Sequence, residues 1–308
     1  MKKTFLFSIT MIMLILMGNF AFSQINPNNP QYQTMKAQGL IPQPQQVNPI
    51  PPIPAILPSN KGTNFTAGLK VPLDGTFTLA MTPNDDGSTG VLSLPFTFCF
   101  YGTNQNAFYI NNNGNVSFGG SYSEYTATGF PYAGFPMLAP FWADVDTRGV
   151  GNVYYKIEPH RVVVIWNETG YFSVQTDKRN TFELIFTDGT DPLIGVGNNV
   201  AFSYSTMQWT TGSASGGVNG FGGSPATAGI NRGDGVKYAL VGRFDHAGND
   251  FNGVGGISGV GYLTGKYYQF NACNDNPIIP ATVPISNWAL ILMGVVLLAV
   301  GTVYIVRR

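Results

Sequence analysis

Charge is what this chain has least of. Asp, Glu, Lys and Arg make up 10% of its 308 residues, and 16 cations against 16 anions leave a formal net charge of zero. With no basic field there is no electrostatic footprint for nucleic acid, and with no acidic one there is none for cationic partners. Histidine is nearly missing as well, with only His160 and His246. A Ser-His-Asp arrangement needs an imidazole close to a serine. His160 follows Pro159 in a turn-like stretch, His246 lies in Arg243-Phe244-Asp245-His246-Ala247-Gly248, and neither sits in a nucleophile elbow. The chain is therefore read as a non-enzyme. Helical periodicity is also lacking: between residues 61 and 273 no run of ten or more residues carries an apolar stripe at the helical period, which excludes an α or α/β fold there.

Cysteine occurs twice, as Cys99 and Cys273. Both fall in the part of the chain that an export signal would carry into an oxidising compartment, where a bridge is permitted. Two buried free thiols are the alternative. An even count of two flanking one region favours the Cys99–Cys273 disulfide, worth at most roughly 5 kcal/mol in the chain-entropy account.

The N-terminus is a targeting segment. Lys2 and Lys3 precede an apolar run over 5–17, and Ala21-Phe22-Ser23 places small residues ahead of Gln24, so residues 1–23 read as a cleaved signal peptide too short to span a bilayer. Residues 24–60 are rich in Asn, Gln and Pro. Pro42, Pro44, Pro49, Pro51, Pro52, Pro54 and Pro58 remove amide donors and fix an extended backbone, so the segment is expected to be a disordered or stiff linker. One β domain follows over 61–274, then a short linker over 275–283. A tail over 284–308 carries an apolar run long enough to cross a membrane and ends in Arg307-Arg308, which the positive-inside tendency keeps cytoplasmic.

Within the domain, short β-prone runs are separated by Gly, Asn and Asp turns. Strands are predicted at 75–81, 94–101, 107–111, 115–118, 139–146, 152–157, 161–166, 180–187, 200–204 and 267–271, which stack most simply as an antiparallel β-sandwich. The run 162–166 is continuously apolar and predicted to be central; 181–186 alternates and is predicted to have a solvated side. A longer connection is expected over 167–179. Alternation over 141–146 sends Phe141, Ala143 and Val145 to the core and Trp142, Asp144 and Asp146 to the opposite face, with a turn over 147–152 making a hairpin with the strand that follows.

Trp142, Asp144 and Asp146 are the candidate binding face, because an aromatic beside two acids suits a sugar. Neighbours two apart on a strand lie roughly 6 to 7 Å apart with parallel side chains, so they do not face each other across a substrate and a hydrolase would need a further acid. Calcium is the more credible chemistry, with hard oxygen ligands from Asp144, Asp146 and turn carbonyls. Other acid-rich turns occur at Asn84-Asp85-Asp86-Gly87 and Asp188-Gly189-Thr190-Asp191, where Asp-Gly pairs are first of all turn formers. No other cofactor is indicated. Arg232-Gly233-Asp234, in a Gly-rich turn, is read as a chance tripeptide.

The runs 108–118 (FYINNNGNVSF), 139–156 (APFWADVDTRGVGNVYYK), 179–189 (RNTFELIFTDG), 207–217 (MQWTTGSASGG) and 220–235 (GFGGSPATAGINRGDG) resemble successive blocks of the nidogen-type extracellular domain, NIDO. The resemblance implies an extracellular, mostly β, non-catalytic module of adhesion and matrix proteins, and it assigns no ligand-binding residue. The tail in turn resembles the sorting signals read by exosortase-type transpeptidases of bacterial surface proteins, which combine a short Pro-containing motif, a hydrophobic helix and a basic end. Pro284, Ser286, Asn287 and Trp288 carry the motif, with Ile285 and Asn287 as departures, and Arg307 and Arg308 form the basic end. A permanent single-pass anchor with Trp288 in the interfacial belt is the other reading. The chain is thus expected to be secreted and surface-anchored, the β domain outside, binding a surface or matrix protein or a glycan. The alternative is a secreted carbohydrate-active protein, lectin-like or hydrolytic, using Trp142, Asp144 and Asp146.

Overall fold

The computed structural model describes residues 27, 30–43, 63–64 and 68–274. The expected signal peptide and the whole tail, including Pro284, Ser286, Asn287, Trp288, Arg307 and Arg308, lie outside the described residues. Among the described residues no helix is long and apolar enough to cross a membrane.

Among the described residues, fifteen strands follow one α-helix, α1 (Pro30–Ala37). They are β1 (Thr63–Asn64), β2 (Thr78–Leu79), β3 (Leu92–Phe100), β4 (Thr103–Asn111), β5 (Asn115–Ser117), β6 (Met137–Trp142), β7 (Val145–Asp146) and β8 (Asn152–Glu158), then β9 (Arg161–Tyr171), β10 (Gln175–Thr187), β11 (Val200–Thr206), β12 (Ala226–Asn231), β13 (Tyr238–His246), β14 (Ile257–Gly259) and β15 (Lys266–Phe270). One sheet runs β1-β15-β11-β10-β9-β8-β2, with β7 added beside β9; the other runs β14-β13-β12-β6-β5-β4-β3. Every pairing is antiparallel except β13 with β14.

The sheets meet face to face over one apolar core. Phe98 and Phe108 of the second sheet each put their rings 5.2 Å from that of Phe186 on the first, and Phe141 approaches Phe182 at 5.5 Å. Strand β9 is central as its apolar run requires, flanked by β8 and β10. The Cys99–Cys273 disulfide is formed, across 174 residues of sequence. It pins β3 to the chain just beyond β15, beside backbone bonds from Tyr101 N to Ala272 O and Gly102 N to Cys273 O.

Part of each outer face is covered as well. Outside the first sheet, Val163, Ile165, Ile185 and Ala201 are roofed by Leu69, Val71, Leu73 and Phe77. The expected solvated side of 181–186 is therefore buried. Glu183 points out of that face at 0% exposure and accepts hydrogen bonds from Lys70 N, Val71 N and Ser203 Oγ at 3.0, 3.0 and 2.5 Å, which fastens the roof. Outside the second sheet, Met137, Ala139, Trp142 and Leu240 pack under Phe130 and Phe135.

Two further expectations fail for topological reasons. The segment after β6 does not turn back as a hairpin: β6 belongs to the second sheet, whereas β7 pairs with β9 and β8 with β9 and β2 in the first, so the chain crosses between sheets at residues 143–144. The connection expected over 167–179 is short, because β9 extends to Tyr171 and β10 begins at Gln175.

Candidate functional site: a buried lysine among three carboxylates

Residues 24–60 were expected to form a disordered linker, yet within them Pro30–Ala37 is a helix. Pro30 suits a first helical position, and Gly39 at φ +67° reverses the chain with Gly39 N bonding Lys36 O and Leu40 N bonding Met35 O. Eight residues are too few for a helix that stands alone in water. Its stability comes from docking: Tyr32, Met35 and Ile41 are buried with Tyr125, and the Gln43 side-chain oxygen accepts from Tyr125 N and Thr126 N.

The crossover between sheets supplies the other half of the site. Strand β6 ends at Trp142 and β7 starts at Val145, so Ala143 and Asp144 leave the ladder where the chain changes sheets. An asparagine web fixes this corner. Asn112 Nδ2 donates to Val145 O at 2.6 Å, Asn113 Oδ1 accepts from Val145 N at 3.0 Å, and Asn113 Nδ2 donates to Asp86 Oδ1 at 2.7 Å. Gly114, at φ +73°, permits the close approach, since a Cβ there would lie 1.8 Å from Phe141 O. The 84–87 turn is tied alongside: Asn84 Oδ1 accepts from Gly87 N, and Asn84 N donates to Thr147 Oγ1.

Asp85, Asp86 and Asp144 thereby converge, and Lys36 fills the space between them. Its Nζ donates to Asp86 Oδ2 at 2.6 Å, Asp144 Oδ1 at 2.7 Å and both Asp85 oxygens at 3.0 Å. All four side chains are 0% exposed. The rings of Tyr125 and Phe172 close over the ammonium at 4.0 and 4.4 Å, and Tyr32 Oη donates to Asp86 Oδ2 at 3.2 Å. Gly212 backs the pocket, where a Cβ would meet Asp144 Oδ2 at 2.5 Å; that oxygen has no hydrogen-bond partner among the described residues.

Asp146 belongs to a separate pair. Its oxygens accept from Arg148 Nε at 2.8 Å, Arg148 Nη2 at 2.5 Å and Val174 N at 2.8 Å. Arg148 also lies 3.6 Å from Asp85. Four acids thus face two bases, and the imbalance has consequences. Burial would push the Lys36 ammonium down, but Asp144, Asp86 and Asp85 outweigh it and hold the pKa well above the ordinary value. Burial pushes the Asp144 carboxyl up to about 7, opposed by Lys36, and drives Asp85 well above the usual carboxylate range, reinforced by Asp86. Lys36 stays charged, while Asp144 and Asp85 hold a proton more readily than a free carboxyl does.

The sequence-predicted binding face is accordingly taken apart. Asp144 meets Lys36 and Asp146 meets Arg148. Trp142 is 0% exposed, packed against Phe130 and Tyr132 with its Nε1 donating to Glu124 O, so it presents no ring to a ligand. Among the described residues, the carboxylates whose oxygens lie close enough together for a metal ion are Asp85, Asp86 and Asp144, and Lys36 already provides their cation. His160 pairs with Asp188 and His246 with Asp245 and Asp250, all toward solvent. The Asp234 carboxylate is used by its own turn, accepting from Val236 N and Lys237 N.

The class defined by fold and site is a stacked pair of largely antiparallel sheets whose polar centre is a closed ionic knot. A family model described as "NIDO related" matches residues 62–271, and the chain belongs to that family. Among curated proteins it is similar to human alpha-tectorin, at 34% identity over 180 residues that cover 49% of this chain and 8% of that protein. It is also similar to nidogen of Drosophila melanogaster, at 29% identity over 140 residues covering 36% of this chain and 10% of that protein. The chain therefore spans about a tenth or less of these relatives. No solved structure matches it. Lys36 lies outside the family span, whereas all three acids lie inside it.

Proposed function

We propose that the chain is a surface-displayed adhesion or extracellular-matrix module that binds a protein or glycan partner by contact and catalyses no reaction. The observation that carries this reading is the closed state of its clustered acids: Asp85, Asp86 and Asp144, close enough together to hold a metal ion, are buried around the Lys36 ammonium. Membership of the NIDO-related family supports an extracellular setting. The hydrophobic tail and its basic end hold the domain outside a bacterial-type surface, either as a permanent anchor or until a sorting transpeptidase cuts at the Pro284–Trp288 motif.

Binding of the purified full chain to panels of immobilised matrix proteins and glycans tests the reading. Retention on a member of either panel is expected, with every glycan left intact. Turnover of a glycan would replace the proposal with the carbohydrate-active alternative. Mass spectrometry of the surface form locates both cuts; a peptide from residues 290–306 would leave the permanent anchor.

A further inference from the structure

We infer that the acidic pocket is a receptor for a lysine-bearing segment, and that the segment it takes between molecules is residues 27–43 of a second copy of this chain. This deepens the matrix-module reading, on which it rests, by naming one partner. The ammonium that completes the pocket comes from outside the family span of residues 62–271, while the three acids and both aromatic lids come from inside it. The pocket is thus a property of the domain, and α1 behaves as a tethered ligand.

The fit is specific for a primary ammonium on a long stem. Three carboxylates within 3.0 Å surround Nζ, and rings stand over it at 4.0 and 4.4 Å. Flanking anchors add sequence selectivity: Tyr32 on Asp86, Met35 and Ile41 against Tyr125, and Gln43 on the Tyr125 and Thr126 amides. The segment contributes no strand to either sheet. None of these contacts depends on which molecule supplies it. The connecting residues 44–62 could reach roughly 60 Å if extended at about 3.1 Å per residue, far enough for a neighbour's pocket.

In an isolated molecule the covalent connection favours the internal site, because it gives an effective concentration on the order of millimolar. Exchange between copies takes over where the local density of molecules approaches that value, as on a crowded surface. Charge then links one module to the next without any other partner.

Complementation separates the two arrangements. One full-chain variant, Lys36→Ala, lacks the donor but keeps the pocket; a second, Asp86→Asn/Asp144→Asn, keeps the donor but loses the pocket. Each carries a different affinity tag. The mixture is expected to co-purify, and each variant prepared with both tags is expected not to. A synthetic peptide of residues 27–43 is expected to bind the Lys36→Ala chain, and the peptide carrying Ala at position 36 to bind on the order of 100-fold more weakly. A mixture that fails to associate while the peptide binds would overturn exchange between copies. A peptide that fails to bind, or that calcium displaces from the Lys36→Ala chain, would overturn the receptor itself. A chain that passes the matrix and glycan panels but fails here loses this inference alone.

Discussion

Replacing Lys36 by Met keeps the length and bulk of the buried stem and removes its charge. Three carboxylates at 0% exposure then have no ammonium within reach. Removing one member of a buried ion pair typically costs about 3–5 kcal/mol, against about 0–1 kcal/mol for an exposed pair. The domain has one escape, which is to release α1 and let water reach the acids. That forfeits the burial of Tyr32, Met35 and Ile41, worth about 1.5–3 kcal/mol for each fully buried side chain. Three such side chains make release cost about 4.5–9 kcal/mol, so the cheaper route sets the expected loss at about 3–5 kcal/mol. For a domain of this size each kcal/mol moves Tm by roughly 2–4 °C, which gives a fall of roughly 10 °C in calorimetry. Hydrogen exchange distinguishes the routes, since release raises exchange over residues 30–43 while β9 and β10 stay protected. A double-mutant cycle with Asp144→Asn is expected to show strong coupling, the second change recovering part of the first loss. A Tm within about 2 °C of the unmodified chain would show that the ionic knot carries no more than a surface pair.

Three other expectations follow from the same packing. Burial pushes the Glu183 carboxyl up from 4.5 to about 7, so the folded state binds that proton more tightly than the unfolded one. The stabilisation is full below about pH 4.5 and lost as the pH rises to about 7; Asp144 acts in the same direction, and Lys36 does not titrate in this window. Tm should fall over that interval, and Glu183→Gln should flatten the profile by up to about 3 kcal/mol; an unchanged profile would refute this. Trp142→Ala should cost about 3–5 kcal/mol through the cavity left under Phe130 and Tyr132, seen as a lower urea midpoint, whereas a normal midpoint with selective loss of glycan binding would restore it as a contact residue. Calcium or a chelator should leave Tm unchanged, since the Lys36 ammonium occupies the pocket; a rise of several degrees with calcium would mean that the ion displaces it.

The sequence made one half of the fold legible and hid the other for identifiable reasons. Phe141, Ala143 and Val145 do enter the core as alternation requires, and 162–166 is central. Alternation cannot say that the opposite face is buried too, which depends on distant covers: residues 119–136 over Trp142 and residues 68–77 over Glu183. Strands β12 and β13 escaped because ATAGIN is small and Gly-interrupted, and its burial is imposed by β6 and β13 on either side. The site was half visible. Asp144 and the Asp85-Asp86 turn were noticed, but their meeting rests on the crossover between sheets. Lys36 carried one faint signal, the spacing of Tyr32, Met35 and Lys36 on one helical face in a segment whose prolines argued for an extended chain.

The position of Lys36 relative to the family boundary has an evolutionary corollary. Anions and cation are written in separate stretches of the chain, so the leader can be rewritten without renegotiating the sheets. A single codon change in that stretch would swap or silence the key while the strands of the lock keep their order, so variants of one module could diverge in whom they recognise, each paying in stability for any buried carboxylate left without its cation.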